Sequence, residues 1–196
     1  MINVERRESL VDAAIEVLAG HGARGLTFRA VDLQARVPAG TASNYFPSRD
    51  DLLTQAGGRI YQRLTPDAAT LADSRTGPRD QQRVAELVTA VTGRIQDYRT
   101  GWLALLELRL EATRRPALRE ILTATVRADL EATIAYHLET DLPGDSTTAV
   151  LLYLAVNWLV VESLTLPQVL DGLGGRATAD ITTAVVHRIL TATTEA

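Results

Sequence analysis

The sequence predicts an all-α protein: a small N-terminal helical module, residues 1–53, joined to a larger C-terminal helical domain, residues 54–196. Three observations carry this prediction. Apolar residues recur at three- and four-residue spacing along most of the chain, no stretch alternates apolar and polar side chains as a half-buried strand does, and the seven prolines fall at the boundaries between periodic segments. A chain of 196 residues with 46% hydrophobic side chains can bury a substantial core.

In order along the chain, Leu10, Ala13, Ala14, Val17 and Leu18 define a first helix over residues 4–19 that stops at Gly20-His21-Gly22. Thr27 is placed as the N-cap of a short second helix ending near Arg36, with Val31 and Leu33 facing inward. Val37-Pro38 marks a turn, and a third helix is predicted over residues 38–45 because proline suits a first helical turn. Ser48 caps a fourth helix carrying Leu52, Leu53, Ile60 and Leu64, with Gly57-Gly58 in its middle as a hinge or a close-packing site. Residues 65–79 read as a loop or frayed helix end, followed by a fifth helix over 80–100 that ends at Gly101. Residues 102–110 are apolar nearly all round, as in a helix enclosed by others, and Pro116 closes them. Long helices are then predicted over 118–138, 147–166 and 177–194.

Several chemistries are excluded on composition and spacing. There is no cysteine for a disulfide or a thiolate, and the histidines at 21, 137 and 187 have no metal-ligand spacing, so neither metal nor cofactor is expected. Gly172, Gly174 and Gly175 follow no strand and cannot form a dinucleotide-binding turn. The charged first segment lacks the apolar run of a signal peptide, and the uncharged run 149–161 is shorter than a bilayer requires, so a cytoplasmic protein without a membrane partner is expected. No catalytic constellation stands out. The pairs Asp50-Asp51 and Glu107-Glu111 read as a helix start and as carboxylates flanked by arginines.

A net charge of −4 is not the basic footprint of a nucleic-acid-binding domain, yet the charges are unevenly spread. Residues 1–60 hold seven arginines and seven acidic residues, whereas residues 61–196 hold thirteen and seventeen. From 22 to 49 there are Arg24, Arg29, Arg36 and Arg49 against Asp32 alone. The second and third helices with their turn form a helix-turn-helix pattern, and the third presents Ala39, Gly40, Thr41, Ser43 and Asn44. Small side chains let a helix backbone lie deep in the major groove, Asn44 can pair bidentately with an adenine edge, and Thr41 can meet bases or a thymine methyl. Thr27, Tyr45 and Arg49 are candidates for phosphate contacts, with Arg29 adding positive charge beside them.

Residues 6–53 closely resemble the N-terminal DNA-binding domain of the TetR family of transcriptional repressors, through GLTFRAV (25–31), VPAGT (37–41), NYF (44–46) and SRDDLL (48–53). The resemblance implies phosphate contacts at Thr27, Tyr45 and Arg49 and base contacts at Ala39, Gly40, Thr41 and Asn44. Ser43 stands where many members carry a phosphate-binding tyrosine, and Arg49 replaces a frequent lysine. For the rest of the chain the resemblance implies a ligand cavity among the middle helices and a dimer interface from the last two. The run ELRLEATRRP (107–116) is similar to a segment common in uncharacterised members.

Position and polarity select Tyr61, Arg94, Tyr98, Trp102, Glu107 and His137 as ligand-binding candidates. Glu107 shares a helix face with Leu103, Leu106 and Leu110, so its carboxylate is either an internal ion-pair partner or a ligand contact. Leu151, Leu154, Trp158 and Val161, with Val185 and Ile189, are the dimer-interface candidates. The expected protein is a homodimeric repressor, not an enzyme, that binds a palindromic operator in double-stranded DNA and is released by an unidentified small-molecule effector. Two alternatives stand beside it: a helical protein-interaction module that does not bind DNA, and an enzyme without a metal.

Overall fold

The computed structural model describes residues 3–169 and 178–194, so Gly172, Gly174, Gly175 and the predicted helix start at Ala177 lie outside the described residues. Among the described residues the regular structure is helical: α1 (Val4–Gly25), α2 (Phe28–Gln34), α3 (Thr41–Tyr45), α4 (Arg49–Leu64), α5 (Ala68–Ser74), α6 (Gln81–Asp97), α7 (Arg99–Ala112), α8 (Pro116–Glu139), α9 (Ser146–Thr165) and α10 (Thr178–Thr194), with a 3-10 turn at Pro167–Val169. Polar side chains start many of these helices by accepting an otherwise unpaired N–H: Asn3, Thr27, Ser48, Asp67 and Asp145 each cap one.

Contacts divide the chain into two compact units. The first comprises residues 1–65 and 98–126. Its core joins Leu10, Ala14, Ile15 and Leu18 of α1 to Val31, Phe46, Leu52, Leu53 and Ile60, and to Leu105, Leu108, Leu118 and Leu122 of α7 and α8. Within it α7 lies along α1 and touches α4. The second unit comprises 66–97 and 127–196, where α6, α9 and α10 pack together around Val84, Leu142, Leu152, Val186 and Leu190. The Tyr136 hydroxyl donates to the Ser74 carbonyl at 2.9 Å, tying α8 to the end of α5. Four-residue spacing buries Thr148, Leu152, Val156, Val160 and Leu164 of α9, a helix long and apolar enough to cross a bilayer by length and composition.

The structure departs from the sequence expectations where local geometry overrides pattern. The first helix continues to Gly25 across a kink at Gly22 (φ 66°, ψ 178°). Leu33 is 79% exposed and does not face inward. The segment 65–79 contains α5. The predicted helix 80–100 ends at Asp97: Tyr98 breaks it (φ −109°, ψ 45°), and Gly101 sits inside the first turn of α7. A Cβ at Gly101 would fall on the Tyr98 ring, so this glycine makes room for the aromatic across the break and does not end a helix. Pro116 opens α8, where its missing N–H costs nothing, while α7 has already ended at Ala112.

The paired glycines of α4 differ. A Cβ at Gly57 would lie 3.2 Å from Leu122 Cδ2, which makes it a close-packing residue, whereas a Cβ at Gly58 would meet nothing within 4 Å. Gly58→Ala is therefore expected to raise stability by about 0.5–1 kcal/mol in urea unfolding, by removing backbone freedom from the unfolded chain.

His137 is buried, and its Nε2 lies 3.1 Å from the Pro143 carbonyl, to which it donates as Nε2–H. Burial pushes its pKa below the ordinary 6.5. The unfolded chain then takes up this proton before the folded one does. The contribution is complete above pH 6.5 and declines as the pH falls through the depressed folded value. Thermal melts from pH 7.5 downward should show the midpoint falling below pH 6.5 in the wild type, with a shallower fall in His137→Gln.

Candidate functional site

The helix-turn-helix is built around one carboxylate. Asp32, 3% exposed near the end of α2, accepts the N–H of Gly40 at 2.7 Å and of Ala42 at 2.6 Å, satisfying two donors at the start of α3. Between them the chain turns tightly. Arg36 is left-handed (φ 54°), its N–H donates to the Leu33 carbonyl, and the Val37 N–H donates to the Asp32 carbonyl at 3.0 Å, a Schellman cap with arginine in the usual glycine position. Gly40, also left-handed (φ 91°), is the N-cap of α3. The third helix thus begins at Thr41 and not at Pro38, because the two left-handed residues and the Asp32 bonds place Pro38 and Ala39 in the turn.

This turn leaves Ala39, Gly40, Ser43 and Asn44 exposed, with Thr41 half-buried. The Thr41 hydroxyl donates to Pro38 O at 2.5 Å and the Ser43 hydroxyl to Gly40 O at 2.9 Å, leaving their oxygen lone pairs as acceptors. Ala42 is fully buried and Phe46 nearly so; they anchor the opposite face of α3, and the Arg7 guanidinium lies over the Phe46 ring at 5.0 Å while donating to the Tyr45 carbonyl. Thr27 and Arg29 are exposed at the start of α2, with Thr27 Oγ1 accepting the Ala30 N–H at 3.1 Å. Tyr45 is half-buried against the core.

Arg49 is committed further than the sequence suggests. Its Nε donates to the Leu26 carbonyl at 2.9 Å and its Nη2 to the Ala23 carbonyl, so the start of α4 holds the end of α1. Glu107 forms no ion pair among the described residues. Its Oε2 accepts the Ala23 N–H at 2.9 Å, just after the kink at Gly22. One turn along α7, Glu111 accepts from Arg115, which also reaches Asp50 on α4. The Arg115 hydrogen bond holds the Glu111 carboxyl below its usual range. On another side of α4, Arg59 and Arg63 both bind Asp12 of α1, at 3.0 and 2.8 Å, and the Arg63 guanidinium lies over the Tyr98 ring at 5.5 Å. Burial raises the Tyr98 hydroxyl pKa.

Of the ligand candidates, Tyr61, Tyr98, Trp102 and Glu107 belong to the first compact unit, and Arg94 and His137 to the second. Trp102 is buried, and its indole N–H has no hydrogen-bond partner among the described residues. An open groove of about 420 Å³ between α1, α4 and α8 is lined by Arg7, Val11, Gly58, Arg59 and Leu122 among others, and by none of the six ligand candidates. Leu151, Leu154 and Trp158 stand 42%, 56% and 64% exposed along α9, while Val161, Val185 and Ile189 are half-buried. The residues that sequence reasoning missed are Asp32 and Asp12. Asp32 carried a signal as the one acidic side chain in an arginine-flanked segment, eight residues ahead of Gly40.

Residues 10–56 match the bacterial regulatory proteins of the tetR family, and residues 79–192 match the tetracyclin repressor-like C-terminal domain, more than half of the chain. The chain belongs to the TetR family. It is 30% identical over 132 residues to the HTH-type transcriptional regulator BetI of Agrobacterium fabrum, covering 66% of this chain and 63% of BetI. It is 36% identical over 84 residues to the HTH-type transcriptional repressor KstR of Mycolicibacterium smegmatis, covering 43% of this chain and 40% of KstR. The chain thus spans less than two thirds of the length of either relative. The solved structure of the multidrug binding protein EbrR complexed with imidazole superposes with a TM-score of 0.62 at 26% identity, over 96% of both chains. These relatives are named for regulation or binding and not for catalysis.

Removing the Asp32 carboxylate strands two donors at the base of the turn. Asp32→Ala is expected to cost about 2–3 kcal/mol, the scale of hydrogen bonds to a charged group, and Asp32→Asn less, because the amide retains one acceptor oxygen. Urea unfolding followed by circular dichroism checks this, and equal midpoints for wild type and Asp32→Ala would refute it.

Proposed function

We propose that this chain is a cytoplasmic, ligand-responsive repressor that binds a palindromic operator as a homodimer. The observation that carries the reading is the exposed, small-residue face of α3, Gly40, Ser43 and Asn44, held on α2 by the buried Asp32. Membership of the TetR family supports it, as does the name of the relative KstR, a transcriptional repressor. In this reading residues 1–53 are the DNA-binding module. Ala39, Gly40, Thr41 and Asn44 meet base edges, and Thr27, Arg29, Ser43, Tyr45 and Arg49 meet phosphates. Arg49 does so with what remains of its fork after two bonds to backbone carbonyls.

Residues 54–196 carry the effector site and the dimer interface. The outward stripe Leu151, Leu154 and Trp158 on α9, continued by Val161 and by Val185 and Ile189 of α10, is covered by a second copy in a four-helix arrangement about a two-fold axis. Covering this face also accounts for the apolar character of α9 without a membrane. The effector lies against Tyr61, Tyr98 and Trp102, and the Trp102 indole N–H, without a partner among the described residues, supplies a donor for an acceptor on that molecule. The multidrug binding of EbrR supports a small-molecule site.

Selection from a random duplex pool tests the DNA claim. An inverted repeat is expected, and Asn44→Ala should relax preference at one position per half-site by about 1–3 kcal/mol. Recovery of asymmetric sites alone, or of none, refutes the palindromic reading. Leu154→Asp places a charge in the proposed interface and should shift sedimentation from dimer to monomer at micromolar concentration, and a monomeric wild type would refute the homodimer.

A further inference from the structure

We propose that Glu107 is a positioning residue for DNA recognition: with Arg49 it clamps the backbone of Ala23 from both sides and so sets where the helix-turn-helix stands on α7. The inference rests on the DNA-binding reading above. At Gly22 the backbone of α1 leaves helical geometry, and Glu107 Oε2 accepts the N–H of the next residue, Ala23, at 2.9 Å. A Cβ at Gly22 would lie 3.1 Å from that same oxygen, so the carboxylate is packed into the kink. The Ala23 carbonyl receives Arg49 Nη2, and Arg49 Nε reaches the Leu26 carbonyl at 2.9 Å. Ala23 and Leu26 are 3% and 0% exposed, so water does not readily replace these bonds.

The clamp sits immediately ahead of α2. Leu26 precedes Thr27, the N-cap of α2, and α3 is locked to α2 through Asp32. Polar contacts therefore link α7 through Glu107 to Ala23 and through Arg49 to Leu26, from which the chain itself leads into α2, and Asp32 carries the link to α3. No link in it touches an outward-facing atom of Asn44 or a phosphate-facing group other than Arg49. Glu107 acts by geometry, and what matters is the reach of an acceptor oxygen to the Ala23 N–H, not its negative charge.

Reach and charge are separable by substitution. Gln keeps the length and the acceptor oxygen but loses the charge; Asp keeps the charge but withdraws the oxygens by one carbon; Ala loses both. The full-length variants are titrated with a duplex that the wild type has selected from a random pool, across a series of salt concentrations, with circular dichroism and thermal melts confirming that each is folded. Glu107→Gln is expected to bind within about threefold of wild type, and Glu107→Asp and Glu107→Ala about tenfold more weakly, the scale of one hydrogen bond at a buried site. All should keep an unchanged slope of log affinity against log salt, because no phosphate contact is removed. If Glu107→Ala does not fold, the Gln and Asp pair decides. Wild-type affinity in Glu107→Asp, weakening in Glu107→Gln equal to that in Glu107→Asp, or a changed salt slope overturns the clamp. A wild type that selects no duplex overturns instead the DNA-binding reading on which it stands.

Discussion

The buried carboxylate of Asp32 is the constraint on which the rest of the candidate interface depends. A helix of five residues makes few internal hydrogen bonds of its own and is not stable in isolation. Here the end of α2 supplies what α3 lacks, with one side chain accepting two N–H groups at its start and the Ala42 methyl and Phe46 ring fixing its inner face. The outer face is then free to carry side chains chosen for contact instead of packing. Burying a carboxylate is unfavourable unless its charge is met by donors, and two short bonds to N–H groups at a helix start provide that in a direction that also favours negative charge.

The second organising element is α7. It is distant in sequence from the first four helices yet contributes Leu105 and Leu108 to their core, and two carboxylates one turn apart to their edges. Glu107 holds the kink of α1, and Glu111 reaches the start of α4 through Arg115. On the other flank Asp12 gathers Arg59 and Arg63, and Arg63 covers Tyr98 where α6 gives way to α7. The contacts of Glu107, Arg49 and Asp32 thus meet backbone groups at helix ends and breaks, where these lack helical partners, while Asp12 joins α1 to α4 through side chains alone.

Much of this was legible in the sequence because it rests on local rules. Periodicity located the long helices, and Thr27 and Ser48 announced helix starts through their side-chain oxygens. What was not legible depends on partners far along the chain. Glu107 read as an ion-pair partner or a ligand contact because an N–H freed by a kink at Gly22, 84 residues from its acceptor, leaves no trace in periodicity. Gly101 looked like a helix stop because composition cannot tell a glycine that ends a helix from one that clears space for the Tyr98 ring. Proline at 38 suggested a first helical turn, but left-handed Arg36 and Gly40 moved the start of α3 to Thr41. Leu33 fitted an apolar stripe and is exposed, because a helix of only seven residues turns too few times for spacing to fix its inner face.

The division of the first unit into residues 1–65 and 98–126 has a consequence for how the chain is made. During synthesis the N-terminal helices leave the ribosome well before α7, the helix that completes their core. Until residue 112 has emerged, the apolar face of α1 that Leu105 and Leu108 cover lacks its partner in α7, and the nascent module is an unfinished core waiting on a distant stretch of its own chain. The same feature raises the sequence separation of native contacts and so slows folding relative to a bundle whose helices pack in chain order. A helical module that looks autonomous in sequence is, in its folding, a discontinuous structure closed late.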